Sequence, residues 1–367
     1  MKAAVRMALA AVATAVMVGA LCLTGCSTPG YYWQSATGHL RLMGAAKPVS
    51  DWLEDGSSPE QLRTRLALSQ RLRSFAVTEL RLPDNPSYRR YADLQRAAAV
   101  WNVVAAPEFS LTLKTWCFPV TGCVGYRGYF EEAAARAEAA QLATEGLEVA
   151  VYPVPAYSTL GWMNWAGGDP LLNTFINYPE GELARLIFHE LAHQVLYVSG
   201  DTTFNESFAT AVERLGSTRW LAARAGEEAR REYAEYDGRR SQFRALTQAT
   251  RRRLAAIYEE KPGAATASKE LSANKQAVFD DFRREYQRLK DSWGGDPLRW
   301  RGYDRWATQA NNASFGAQAA YDDLVPGFEA LFRREQGDWN RFYDAAKRLA
   351  ALPKKQRNTL LKEMAGA

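Results

Sequence analysis

At 367 residues, 47% hydrophobic and 24% charged, the chain has a globular rather than a disordered composition and can bury a large core, in one big domain or two smaller ones. Its formal net charge of +5, which becomes +3 without Lys2 and Arg6 of the leader, is too mild to argue for a nucleic-acid partner. Arginines are interspersed with acids, as over 230–240, which reads as a solvated face.

The chain opens on a targeting segment. Lys2 and Arg6 form a basic start, Ala8 to Leu23 an apolar stretch, and Leu23-Thr24-Gly25-Cys26 follows. A small residue before Cys after an apolar run resembles a bacterial lipobox. That likeness implies a leader over 1–25, a mature chain beginning at an acylated Cys26, and an N-terminal lipid anchor holding it to a membrane. By resemblance to known lipoproteins, Ser27, with no Asp at that position, implies outer-membrane sorting with the body facing the periplasm; anchoring in the inner membrane is the alternative. Cys22 leaves with the leader, so only Cys117 and Cys123 remain free to pair. An even pair in an exported chain predicts a disulfide closing a short loop.

Residues 27 to about 50 read as a tether, with the aromatic run Gly30-Tyr31-Tyr32-Trp33 docking on the body and His39 as a surface or packing residue. The tether and N-terminal helices make up 26–106. One helix is expected from Pro59 to about Leu80, and another from Ser87 to Ala105 ended by Pro107. A strand-containing core is expected over 107–216. It has an alternating strand from Phe109 to Trp116, the cysteine loop, a helix from Tyr129 to Thr144 stopped by Gly146, and a strand from Leu147 to Tyr152. The Gly- and Trp-rich stretch from Tyr157 to Pro170 carries turn signals. Beyond 217 the chain reads as helical. A long charged segment from Trp220 to Glu260 has a break near Gly238, and a linker follows from Lys261 to Ala267. Further helices are expected over Leu271–Lys290, Asn312–Tyr321, Pro326–Arg334, Trp339–Ala350 and Lys355–Met364, with a turn at Gly294-Gly295-Asp296-Pro297. The fold class is therefore α+β and predominantly α-helical, with a small mixed sheet and a long helical C-terminal half.

The chemistry concentrates in Arg185-Leu186-Ile187-Phe188-His189-Glu190-Leu191-Ala192-His193-Gln194. The chain has three histidines, and two of them stand in His-Glu-x-x-His within a helical pattern from Glu182 to Val198. Residues four apart share a helix face, so His189 and His193 can present two imidazoles to one Zn²⁺. Glu190 can then act as general base on a water at that ion. A third protein ligand is needed, and a carboxylate on the following helix is expected to supply it. Thr203 or Asn205 is a candidate cap for that helix, and Phe204, Phe208, Val212 and Leu215 form its apolar stripe. Glu206 and Glu213 lie two turns apart on another face. Either can be the ligand, and spacing does not choose between them. Asp201 or Glu213 could instead hold the other ring nitrogen of a ligating His.

Asn205-Glu206-x-Phe208-Ala209 resembles the second-helix signature of gluzincin metallopeptidases, which implies a zincin-like core and Glu206 as the third ligand of one zinc ion. Ala156-Tyr157-Ser158-Thr159-Leu160-Gly161-Trp162, His189 to Val198, and Gly200-Asp201-Thr202-x-Phe204-Asn205-Glu206-Ser207-Phe208-Ala209-Thr210 look like a bacterial family of predicted aminopeptidases, mostly lipoproteins. Trp116 to Cys123, Tyr126 to Phe130, Asn311-Asn312-Ala313, Tyr321 and Val325-Pro326-x-Phe328 are similar too, and the likeness runs from Cys26 to about Leu352. The chain departs from it at Met163 to Pro170, where a shorter, acidic link is expected. The resemblance implies a zinc-dependent peptide hydrolase, an aminopeptidase acting on peptide substrates, with an edge strand near Ser158 to Gly161 lining the cleft. It implies Tyr321, or Asn311 and Asn312, as the donor to the developing oxyanion. Two other readings use the same residues: a zinc-stabilised, non-catalytic scaffold or peptide-binding module, and a hydrolase of cell-wall peptides.

Overall fold

The structure is a computed structural model and describes residues 29–119, 121–259, 266–294, 300–319 and 321–366. The leader, Cys26, most of the Lys261–Ala267 linker and most of the turn at 294–297 lie outside the described residues.

The first element, α1 (Pro29–Ala45), is a helix where a tether is expected; β1 (Lys47–Pro48), α2 (Val49–Glu54) and α3 (Glu60–Thr78) follow. Leu42 and Met43 of α1 are buried in the main core, so the segment is part of the body.

The helix expected over 87–105 is not formed. That stretch holds β2 (Arg90–Ala92) and most of β3 (Val100–Pro107). The physical reason lies in β3, the centre of the antiparallel sheet β6-β3-β7, completed by β6 (Arg127–Tyr129) and β7 (Leu147–Val154). Val103 and Ala105 pack on one side of β3, with Ala135 and Leu142 of α4 (Glu132–Thr144). Val104 and Ala106 pack on the other, with Ala313 of a C-terminal helix. A strand buried on both faces loses the alternation that identifies strands and reads like a buried helix. The expected strand over 109–116 is irregular over most of its length: Leu111 and Leu113 turn inward into two different clusters instead of joining a ladder.

β4 (Trp116–Phe118) and β5 (Gly122–Val124) form a hairpin in which Cys117 stands opposite Cys123, and a disulfide joins them. A third small sheet pairs β1 antiparallel to β2 and β2 parallel to β8 (Leu171–Leu172).

Two helices then cross the middle of the molecule, α5 (Glu180–His193) and α6 (Thr202–Arg224). α5 stops at His193, short of Val198. The turn after it is held by Asn205, whose Oδ1 accepts from Val198 N at 2.7 Å and whose Nδ2 donates to Val198 O at 2.8 Å. Asn205 is therefore a clamp on the turn. The cap of α6 is Asp201, which accepts from Phe204 N. Beyond them, α7 (Glu227–Glu259) runs unbroken through Gly238, and α8 (Thr266–Trp293) packs along it. The cost of roughly 1 kcal/mol for a mid-helix glycine is outweighed by Phe243 and Leu254 of α7 packing on Phe279 and Phe282 of α8. α9 (Arg301–Gln309), not among the expected helices although Tyr303, Trp306, Ala307 and Ala310 recur at helical spacing, leads into α10 (Asn312–Ala319), α11 (Val325–Arg334), α12 (Trp339–Ala350) and α13 (Lys354–Gly366).

The main core joins Leu66, Leu72 and Phe75 of α3 to Ile187 and Phe188 of α5, to Phe204, Phe208 and Val212 of α6, and to Phe328, Phe342 and Leu361 of the C-terminal helices. Each large apolar side chain fully removed from water contributes about 1.5–3 kcal/mol. One apolar body thus fixes α5 against α6, the two helices that carry the site. No helix among the described residues is long and apolar enough to cross a membrane.

Candidate metal centre and its surroundings

α5 buries Leu183, Ile187, Phe188 and Leu191 and turns His189 and His193 towards α6. Glu206 and Glu213 meet them from α6, both at most 8% exposed. His189 Nδ1 lies 3.0 Å from Glu213 Oε2. In the neutral ring that nitrogen carries the proton, which leaves Nε2 with a lone pair. The Nε2 lone pair faces Glu206 Oε2 at 3.2 Å and His193 Nε2 at 3.2 Å. The third side of the triangle, His193 Nε2 to Glu206 Oε2, is 3.6 Å.

His189 Nε2 and Glu206 Oε2 are acceptors, and His193 Nε2 is a third in the tautomer that carries its proton on Nδ1, which has no hydrogen-bond partner among the described residues; three such atoms at these distances repel one another unless positive charge sits between them. The electrostatic balance of the cluster points the same way. Burial disfavours a charged His189, yet its bonds to Glu206 and Glu213 push its pKa well above the usual value. Burial also disfavours ionised Glu206, and the His193 charge with bonds from both imidazoles overcomes this, holding it at about 2. A divalent cation meets the same demand. Ligand atoms bound tetrahedrally at about 2.0–2.1 Å stand about 3.3 Å apart, which matches the observed triangle, and His189, His193 and Glu206 are the group among the described residues that fits an ion.

Glu213 is not in that triangle. It accepts from His189 Nδ1 on one oxygen and forms a buried ion pair with Arg185 through the other. Burial would raise its pKa, but the Arg185 guanidinium and His189 bring it to about 2. Arg185 precedes His189 by one helical turn, so the i, i+4 spacing was the available signal for its role. Asp201, by contrast, is far from this chemistry. Its carboxylate is bound by Arg357 through Nε at 3.0 Å and Nη2 at 2.5 Å, and by Lys354 at 3.2 Å. It caps α6 and ties α13 to it.

Glu190 shares α5 with the two histidines and is partly exposed, and its charge is felt by Tyr88, Tyr126, Tyr321 and Asp169. The Tyr321 ring stacks on His189 with centroids 6.3 Å apart, and the side chain stays 39% exposed. The Glu206 carboxylate is the foremost cause pushing its hydroxyl pKa well up, which keeps the proton on the oxygen. Tyr126 and Tyr152 come from the β6-β3-β7 side, and burial and then Glu206 raise the first, with burial foremost for the second. Nothing local distinguishes these among 17 tyrosines. Asn311 and Asn312 are committed elsewhere. Asn311 donates to Val149 O and accepts from Ser314 N, while Asn312 is fully buried, donates to Glu108 O and accepts from Tyr258.

The segment from Ser158 to Gly161 forms no strand. It is a turn fastened to the end of α5 by a buried polar network. Gln194, next to His193, donates to Ser87 Oγ at 3.1 Å and Asp169 Oδ2 at 3.4 Å and accepts from Asn85 at 2.6 Å. Asp169 is fully buried and accepts from the Thr159 N–H at 3.0 Å and hydroxyl at 2.7 Å. Burial is the main cause that lifts its pKa to about 6. Tyr88 sits beside this network at φ 64°, wholly buried, with no hydrogen-bond partner for its hydroxyl among the described residues. His39 stands apart, 3.1 Å from the Tyr157 hydroxyl.

No curated protein and no solved structure matches the chain. A family model described as "Putative aminopeptidase" matches residues 30–361, a span that takes in every side chain of this centre, and the chain belongs to that family.

Proposed function

We propose that the protein is a zinc-dependent peptide hydrolase, an aminopeptidase of gluzincin type, held to the outer membrane by acyl chains on Cys26 with its body in the periplasm. The observation that carries the metal reading is the triangle of His189 Nε2, His193 Nε2 and Glu206 Oε2, with sides of 3.2, 3.2 and 3.6 Å. Family membership supports the peptidase reading.

When bound, Zn²⁺ supplies Lewis acidity to a water and to the scissile carbonyl. The chain's own residues do the rest. Glu190 removes a proton from the attacking water and returns it to the leaving amine. Glu213 fixes the tautomer and orientation of His189, and Arg185 keeps Glu213 ionised. Tyr321 donates its hydroxyl to the oxygen that becomes negative as water adds. Its partial exposure leaves it reachable by substrate.

The test is metal analysis of the acyl-free mature chain together with hydrolysis of peptides bearing free and acetylated N-termini. One bound zinc, cleavage confined to free N-termini, and a loss of about 10²–10⁴ in kcat for Glu190→Gln with zinc retained are expected. Equal cleavage of both peptide types would remove the aminopeptidase reading. Zinc without any hydrolysis would favour a scaffold.

A further inference from the structure

Helix α1 turns an apolar stripe to solvent. Trp33 is 73% exposed and Leu40 68%, and exposed Ala36 and Gly44 continue the line at helical spacing. The helix is not free to roll this stripe inward. Its other side is fixed by Leu42 and Met43 in the core, by Tyr31 under the Arg127 guanidinium at 4.1 Å, and by Gly38, where a Cβ would lie 2.2 Å from the Phe130 ring. The loop over 157–168 runs alongside. Tyr157 meets His39 of α1, and Arg90, in contact with Gly167, donates to Met43 O at 3.1 Å. That loop carries Trp162, 65% exposed, and Trp165, 83% exposed. These four are the most exposed large apolar side chains among the described residues.

We propose that this surface sits in the headgroup layer of the membrane that Cys26 tethers the chain to. The proposal rests on the lipid-anchor reading of Cys26. Only Ser27 and Thr28 separate that cysteine from Pro29, the first residue of α1. Three residue steps span at most about 10–11 Å when fully extended, so the start of α1 is held close to the bilayer, and the stripe from Trp33 to Gly44 is the exposed apolar surface that begins at that end. Indole rings partition to the membrane–water interface, where the ring is in apolar surroundings and the N–H is wet. Leu40 adds apolar area. Arg41, 80% exposed at the side chain and 3.9 Å from Glu131, is placed to meet lipid phosphate.

The experiment uses vesicles of phosphatidylethanolamine and phosphatidylglycerol. The mass of the mature chain extracted from membranes reports acylation of Cys26. The acyl-free Cys26→Ser mature chain is then sedimented with the vesicles, alone and as Trp33→Ser/Leu40→Ser. Wild-type surface should bind, and the double variant should lose about tenfold or more in partition, with hydrolysis of a soluble peptide unchanged. Ala36→Glu, which keeps both large side chains, should lose binding as well. An acylated Cys26 with no vesicle affinity, or variants that bind as well as the parent, would overturn the seating alone. An unmodified Cys26 would remove the anchor, and the seating with it.

Discussion

Asp169 offers a measurement of how tightly the rim of the site is closed. Its carboxyl is wholly buried and its pKa is lifted from 3.8 to about 6, mainly by burial, with the Glu190 charge adding to it. A group whose folded pKa is raised gives its full contribution below the unfolded pKa and loses it as pH rises through the folded value. Roughly two units at 1.36 kcal/mol each amount to about 3 kcal/mol. The wild-type chain should therefore give up about 3 kcal/mol of stability at this residue as pH rises from about 4 to above 6. Asp169→Asn keeps an oxygen for the Thr159 donors at 3.0 and 2.7 Å but cannot ionise. Urea unfolding at several pH values, in chelator so that metal release does not enter, should show the variant gaining on wild type by about 3 kcal/mol between pH 4 and 7. A difference that stays flat over that range would refute the claim that the fold holds this carboxyl in a dry environment.

Three other outcomes follow from the same geometry. Glu213→Gln keeps an acceptor for His189 but takes away the carboxylate charge that Arg185 answers, leaving Asp237 at 3.9 Å as the arginine's remaining ion pair, so zinc affinity should fall about 10–100-fold in competition with a chelating dye; unchanged affinity would mean that Glu213 does not orient the ligand. Asp201→Ala strands the buried Arg357 guanidinium, which makes two bonds to that carboxylate, and should cost about 3–5 kcal/mol in denaturant unfolding. Arg357→Met combined with it should restore part of that loss, and no recovery would argue against a paired charge. Tyr321→Phe should lower kcat by about 10²–10³ with little change in KM, and a matching rise in KM would make it a substrate-binding contact only.

The parts of the fold that local pattern reveals are those whose environment is one-sided. α6 shows its stripe because Phe204, Phe208 and Val212 face the core while Glu206 and Glu213 face α5. β3 hides because it has a core on each side, with Val103 and Ala105 towards α4 and Val104 and Ala106 towards α10. α1 reads as a tether because its outward positions are apolar and its inward positions include Tyr31, Gly38 and His39. Its helical packing is legible only once Phe130, Arg127 and Tyr157 are in place around it. Gly238 is the opposite case. A glycine signals a break only when nothing else holds the helix, and α7 is held along its length by α8.

The same distinction separates the legible and illegible residues of the site. The histidines and Glu190 announce themselves because one helix sets their mutual geometry, and four residues of separation are enough to fix it. Spacing narrows the third vertex only to Glu206 or Glu213, since both lie on the inward face of α6, and it is the gluzincin resemblance that implies Glu206. What lies behind each differs: Glu213 has Arg185 to answer, whereas Glu206 has both Nε2 atoms and no arginine or lysine partner among the described residues. A buried carboxylate already neutralised by a guanidinium is poorly placed to bind a metal as well, because its charge is spent. A buried carboxylate facing two imidazole lone pairs calls for one. The choice between two acids seven residues apart is thus made by the position of a single arginine on the neighbouring helix.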